Sequence, residues 1–178
     1  MTLHDSKLSG LRELVGRKNK IVYEALKAGR LADLPPEEQA LARAMSEHMH
    51  LRHVHNALEF ADLRRDEAYE IEVEGQTVSP MAHVVMHSAV KGQVEADPRV
   101  RAAFEKLVAT GASPHQAEHV LGYLFAGLYF EMCQPENTDA DVEKARAAYY
   151  RKINKVTRDA AYSKKLARQL RDEHPGFE

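Results

Sequence analysis

The chain has 178 residues, of which 44% are hydrophobic and 29% are charged, which is enough to build one globular core. Its single cysteine, Cys133, excludes a disulfide scaffold. The longest apolar stretch, from Val120 to Phe130, is much shorter than the roughly 20 residues that span a bilayer, so we expect no membrane segment. The first residues lack the apolar core of a signal peptide, which predicts a soluble cytoplasmic protein.

The net charge of −2 is distributed unevenly along the chain. Residues 1–31 hold seven basic and three acidic side chains and residues 144–178 hold ten and four, so the two ends carry +4 and +6. The middle, residues 32–143, holds eight basic and twenty acidic side chains and carries −12. Eight of the ten histidines lie in this acidic middle, where carboxylates favour either imidazolium or a bound cation.

Apolar spacing predicts an all-α bundle of five or six helices. The first helix covers residues 7–28, is basic, and ends at Gly29. The second begins at a proline pair and covers residues 36–64, with His48 and His55 in line with its apolar stripe.

The pattern then changes to a period of two at residues 69–78, which predicts a small β-hairpin or extended arm. Three later helices have an N-cap residue followed by proline, at Ser79-Pro80, Asp97-Pro98 and Ser113-Pro114. A last helix, 138–171, opens at Thr138 and is basic. The chain has no repeats or flexible linkers, so we expect a single helical domain over 1–178, with the histidine-rich core at 36–133.

Paired histidines are the main chemical signal in the sequence. Two pairs with four-residue spacing lie near the starts of two predicted helices: His83 with His87, and His115 with His119. This spacing places both rings of a pair on one helix face, so each pair can chelate an ion.

The second predicted helix adds further ligands, and the spacing of His55 and Glu59 matches that of the histidine pairs. The full predicted set of metal ligands is His83, His87, His115, His119, His48, His55 and Glu59. Imidazole and carboxylate together suit Fe, Mn or Zn, and the lack of clustered cysteines argues against a thiolate zinc site or an iron–sulfur cluster. We expect iron, with zinc or manganese as alternatives, and leave the number of ions open.

The metal hypothesis has two catalytic forms, and a non-catalytic function competes with it. An iron-dependent redox or oxygen-handling role is the leading expectation, and zinc-dependent hydrolysis with Glu59 or Glu95 as base is the second. The main alternative is a non-catalytic interaction or assembly protein, including a homo-oligomer, in which the histidines are core polar residues or a pH-sensitive contact. The sequence leaves these open.

The basic C-terminal helix offers another alternative. From Lys144 to Arg171 there are ten basic residues against one acid, Asp159, with tyrosines interleaved. Such a helix could lie along nucleic-acid phosphates, but a solvated basic face that balances the acidic middle explains the same pattern.

Residues 47–131 resemble an uncharacterised bacterial family of small, histidine-rich helical proteins, known as a domain of unknown function. The resemblance rests on three motifs: Ser79-Pro80-x-x-His83-x-x-x-His87, Pro98-x-x-Arg101-Ala102 and Ser113-Pro114-His115-x-x-x-His119. It implies a helical fold and a shared set of histidines, but no reaction. The chain has Gly92, Tyr123 and Gly127 where relatives tend to carry acidic residues, so a carboxylate-rich site would be reduced or rebuilt here.

A weaker similarity is to hemerythrin-like bundles. Their His-x-x-x-Glu and His-x-x-x-His signatures are echoed by His55 with Glu59 and by His83 with His87. The later His-x-x-x-x-Asp element is missing, so the likeness is an analogy of pattern.

Overall fold

The computed structural model describes residues 18–49, 52–59, 71–73, 76–78, 80–134 and 136–173. Their contacts group the chain into two compact units, the first ending at Ser88 and the second beginning at Ala89. Each unit is described by itself, and the expectation of a single domain over 1–178 stays a prediction. None of the helices in the described ranges combines the length and apolarity of a membrane span.

The described residues of the first unit form short helices and one pair of strands. Its elements are α1 (18–27), a 3-10 turn at Leu31–Asp33, α2 (Pro36–His48), α3 (Arg52–Glu59), β1 (Ile71–Val73), β2 (Gln76–Val78) and the start of α4 (Pro80–Ala96). The strands pair antiparallel, with Ile71 opposite Val78. A core that includes Tyr23, Met45 and Val84 lies among the helices.

The helix predicted at 36–64 is interrupted after His48, and its predicted end at residues 60–64 lies outside the described residues. Helix α2 ends at His48, where the N–H of Met49 closes a last turn on the Ser46 carbonyl, and α3 begins at Arg52. No glycine or proline marks the interruption, and the apolar spacing on its two sides stays in step, so the sequence pattern resembles one continuous helix.

The second unit contains four complete helices and the end of α4. These helices are α5 (Pro98–Ala109), α6 (Pro114–Cys133), α7 (Asp139–Arg158) and α8 (Ala160–Glu173). The core packs α6 against α7 and α8 through side chains such as Leu121, Leu124 and Ile153. The first unit and this one together confirm the all-α class, although the described residues alone form eight helices where five or six were expected.

Several predicted helix ends are confirmed in atomic detail. Asp97 accepts a hydrogen bond from the Arg99 N–H, while Ser113 and Thr138 each form a reciprocal capping box. Gly29 and Gly111 adopt φ values of +67° and +100° just after helices end, where a side chain would be strained. Polar caps and glycines therefore placed these boundaries correctly.

The single C-terminal helix predicted at 138–171 is wrong, because it breaks into α7 and α8 at Asp159. The Asp159 backbone is extended, and its Oδ1 accepts a hydrogen bond from the Tyr162 N–H at 2.9 Å, which caps α8. The buried Ser163 hydroxyl donates to the Val156 carbonyl at 2.7 Å and so satisfies a group that the break exposes.

Candidate metal centre

Three imidazole rings of the first unit lie against one another. His48 is the last residue of α2, and His83 and His87 lie in the first two turns of α4. The ring centroids are 4.9 Å apart for His48 and His83, 4.5 Å for His48 and His87, and 4.7 Å for His83 and His87. One nitrogen of each ring lies within 4.8 Å of a nitrogen of the other two.

Helical spacing explains how these rings meet. His83 and His87 are four residues apart, so both project from one face of α4. His48 continues the buried stripe of α2 that includes Leu41 and Met45, so packing of this stripe into the core brings the ring inward. We call His48, His83 and His87 the histidine triad.

The triad is shielded from solvent. His48 and His87 are only 1% and 3% exposed, and the Nε2 atoms of His48 and His83 are buried. Three imidazolium charges at this spacing would repel one another strongly in a buried setting. The arrangement therefore favours neutral rings, each of which keeps one lone pair, and neutral imidazole is the form that binds metals.

The hydrogen bond of His48 fixes which nitrogen carries that lone pair. Its Nδ1 lies 2.7 Å from the carbonyl oxygen of Ala44, one turn earlier in α2. A carbonyl can only accept, so Nδ1 carries the proton and Nε2 keeps the lone pair in the neutral ring. A backbone carbonyl that holds the non-ligating nitrogen is the usual support of a metal-binding histidine.

Two predicted ligands, His55 and Glu59, lie in a different contact in the structure. His55 is exposed, with its ring edge-on to Tyr23 at 6.4 Å between centroids. The Glu59 carboxylate accepts a hydrogen bond from the Tyr23 hydroxyl at 2.8 Å and pairs with Lys27 at 3.1 Å. The structure does not bring them to the triad, and their role as ligands stays a prediction.

The contacts of Glu59 also set its protonation. The hydrogen bond from Tyr23, followed by that from Lys27, lowers the pKa of Glu59 below its ordinary value. Burial, with added effects of Glu59, raises the pKa of Tyr23 to about 12. A carboxylate held ionised in this way is a weak base at neutral pH, which disfavours the predicted use of Glu59 as a general base.

The second histidine pair belongs to the second unit. His115 and His119 lie in the first two turns of α6, with their Nε2 atoms 3.1 Å apart. Two nitrogens that share an ion at roughly 2.0–2.1 Å are separated by about 3 Å, so the pair has the bite of a chelate. The hypothesis that both pairs share one ion joins residues of the two units and stays a prediction.

Two further carboxylates suggested by the sequence lie on α6 and α4. Glu118 is buried and its Oε1 lies 3.0 Å from the Lys91 ammonium, so it is part of an ion pair. Glu95, the other suggested base, is exposed on the last turns of α4. Sequence reasoning missed the Lys91–Glu118 and Tyr23–Glu59 contacts, because side chains 27 and 36 residues apart leave no periodic signal.

The fold and the triad together define an all-helical protein with a buried cluster of histidines. The model of the family described as "Domain of unknown function (DUF1841)" matches residues 20–155, so the chain belongs to this family. This confirms the resemblance to an uncharacterised family that the sequence motifs indicated. No curated protein and no solved structure gives a significant match to the chain.

Proposed function

We propose that the protein binds a divalent transition-metal ion at the histidine triad. The observation that supports this most directly is the Nδ1–H of His48 on the Ala44 carbonyl, which leaves the lone pair on Nε2 of a ring that clusters with two more imidazoles. Three nitrogen ligands would hold an ion and leave at least one coordination position open for water, oxygen or a substrate.

The donor chemistry narrows the choice of ion. Among the described residues of the first unit, the ligand atoms that gather at the triad are imidazole nitrogens, which suit iron and zinc better than manganese. We therefore carry forward iron in a redox or oxygen-handling role. Zinc-dependent hydrolysis is the competing form, and the tethering of Glu59 by Tyr23 and Lys27 weakens it. The cytoplasmic location and bacterial origin expected from the sequence stay predictions.

Metal analysis of protein purified without a histidine tag tests the proposal. We expect about one ion per chain after anaerobic reconstitution with Fe²⁺ or with Zn²⁺ followed by desalting, measured by mass spectrometry of the elements. His48→Ala and His87→Ala should each lower the retained metal at least tenfold, since each removes a ligand. His55→Ala is the matched control, because it removes the same side chain at an exposed position and should retain the ion.

The same measurement can contradict the triad, and two further measurements test the shared ion and the redox role. Retention of the ion by His48→Ala at the level of His55→Ala, with both variants folded by circular dichroism, would contradict the triad as the site.

His115→Ala tests the hypothesis of a shared ion, which requires this variant to bind metal more weakly than His55→Ala. Exposure of the Fe²⁺-loaded protein to oxygen then tests the redox role, for which we expect the iron to be oxidised faster than the same concentration of Fe²⁺ added to the His48→Ala variant without desalting.

A further inference from the structure

Helix α7 presents a line of basic side chains on its solvent-exposed face. We call this line the basic stripe; its members, all exposed, are Lys144, Arg151, Lys155 and Arg158. At 100° per residue they fall within an arc of about 60°, and they extend over about 21 Å along the helix axis. The opposite face of α7 is buried through Tyr149 and Ile153, so the core fixes the direction in which the stripe points.

Few acidic groups neutralise this stripe. Asp159, the only acid between residues 144 and 171, has its carboxylate on the Tyr162 N–H, where it caps α8. In the described part of α7, Glu143 forms an ion pair with Arg146 at 2.8 Å. Arg146 is not part of the stripe, because it lies about 160° around the helix from Lys144. Hydrogen bonds from Thr138 and, to a smaller extent, the charge of Lys144 lower the pKa of Asp141, so Lys144 has one acid nearby. The positive charges of Arg151, Lys155 and Arg158 face solvent with little compensation from the described residues of α7.

Helix α8 extends the same positive surface. The Lys155 ammonium lies 4.3 Å from the ring centroid of Tyr162, which links the stripe to the first turn of α8. Beyond this contact α8 exposes Lys164, Lys165 and Arg168. Positive side chains thus continue from one helix to the next within the second unit.

We infer that the basic stripe binds the phosphate backbone of a nucleic acid without reading its bases. Charge complementarity supports this occupant, because four cations on one straight face can contact several phosphates at once. An anionic membrane is a less suitable partner. Among the described residues, the large exposed apolar side chains lie outside α7 and α8, so these two helices have no such side chain to insert between lipids. The middle of the chain, residues 32–143, carries −12 and therefore disfavours contact with phosphates outside the basic ends.

Fluorescence anisotropy with a labelled 20-base-pair DNA duplex and an RNA duplex of the same sequence tests the inference. The untagged protein is titrated in EDTA at several NaCl concentrations, so that binding is independent of any metal. We expect saturable binding of at least one duplex at 50 mM NaCl, with a slope of log affinity against log salt of about −3.5 for four phosphates.

A pair of double variants locates the contact. Arg151→Gln with Arg158→Gln removes two stripe charges and should reduce the slope by about two and the affinity at 50 mM NaCl by roughly tenfold or more. Arg43→Gln with Arg146→Gln lowers the net charge equally but leaves the stripe intact, so its slope should match that of the unaltered protein.

Three outcomes would overturn the inference. The first is no saturable binding of either duplex at 50 mM NaCl. The second is an equal change of slope in both double variants, which would place the contact elsewhere on the chain. The third is tighter binding to phosphatidylserine vesicles or to polyglutamate than to either duplex, which would assign the stripe to a membrane or to an acidic protein.

Discussion

Tyr23 and Glu59 form a partly buried contact between two distant residues of the first unit. Tyr23 is 1% exposed, and its hydroxyl donates to Glu59 at 2.8 Å, while the Lys27 ammonium pairs with the same carboxylate at 3.1 Å. Because the ion pair with Lys27 remains when the hydroxyl is removed, Tyr23→Phe isolates the contribution of one hydrogen bond. We expect this variant to lose about 1 kcal/mol of unfolding free energy at pH 7.

The same contact predicts a dependence on pH. The pKa of Tyr23 is about 12 in the folded protein, against an ordinary value of 10.0. A raised folded pKa adds stability that is fully present below pH 10 and is lost as the pH rises from 10 towards 12. The difference in urea midpoint between the unaltered protein and Tyr23→Phe should therefore shrink between pH 9 and pH 11.5. A difference in urea midpoint that stays constant between pH 9 and pH 11.5 would contradict the raised pKa of Tyr23.

At the scale of single residues, sequence reasoning found the histidines but not all of their neighbours. The pairs were visible because a four-residue spacing on one helix needs no knowledge of the tertiary fold. His48 was among the suggested ligands through its place in an apolar stripe. No local pattern distinguishes His48 from His55, because the apolar stripe includes both, but the end of α2 at His48 separates them.

Among the helices, the break at Asp159 gives the sharpest prediction. Asp159→Ala removes the carboxylate that accepts the Tyr162 N–H, so we expect a loss of about 1 kcal/mol in urea unfolding. Asp139→Ala is the matched control: it removes an acid from the first turn of α7, where the effect of the helix dipole is only a few tenths of a kcal/mol. Equal losses in the two variants would show that Asp159 does not act as a cap.

Helix boundaries were predictable where a side chain or a glycine marks them. Ser113 and Thr138 open helices as their spacing to Gln116 and Asp141 indicated. Asp159 carries the same kind of signal, but the apolar periodicity of Tyr149 to Ala160 continues past it and outweighs a lone aspartate in a sequence pattern. The break is held in part by the hydrogen bonds of Ser163, a tertiary detail that no local pattern contains.

For the whole molecule, metal binding and folding should be coupled. His48 and His83 are 35 residues apart, so an unfolded chain does not preassemble the triad. An ion at 100 times its dissociation constant would add about 2.7 kcal/mol to the unfolding free energy. For a chain of this length we expect a rise in Tm of about 5–10 °C, which scanning fluorimetry with Fe²⁺ or Zn²⁺ and with EDTA measures.

The triad variants provide the control for this coupling. His55→Ala should keep the metal-dependent rise in Tm, whereas His48→Ala should lose it. An equal rise in both variants would mean that the ion stabilises the protein from another place. This comparison depends on stability alone and does not require knowledge of a reaction.

The bond from His48 to the Ala44 carbonyl has one more consequence. It selects a single tautomer before any ion arrives, so nitrogen NMR of the metal-free protein should show a protonated Nδ1 and an unprotonated Nε2 at this residue. Uptake of an ion then needs no proton to migrate around that ring. The metal-free protein would already hold this ring in the tautomer that coordinates an ion, so that binding requires no rearrangement of His48.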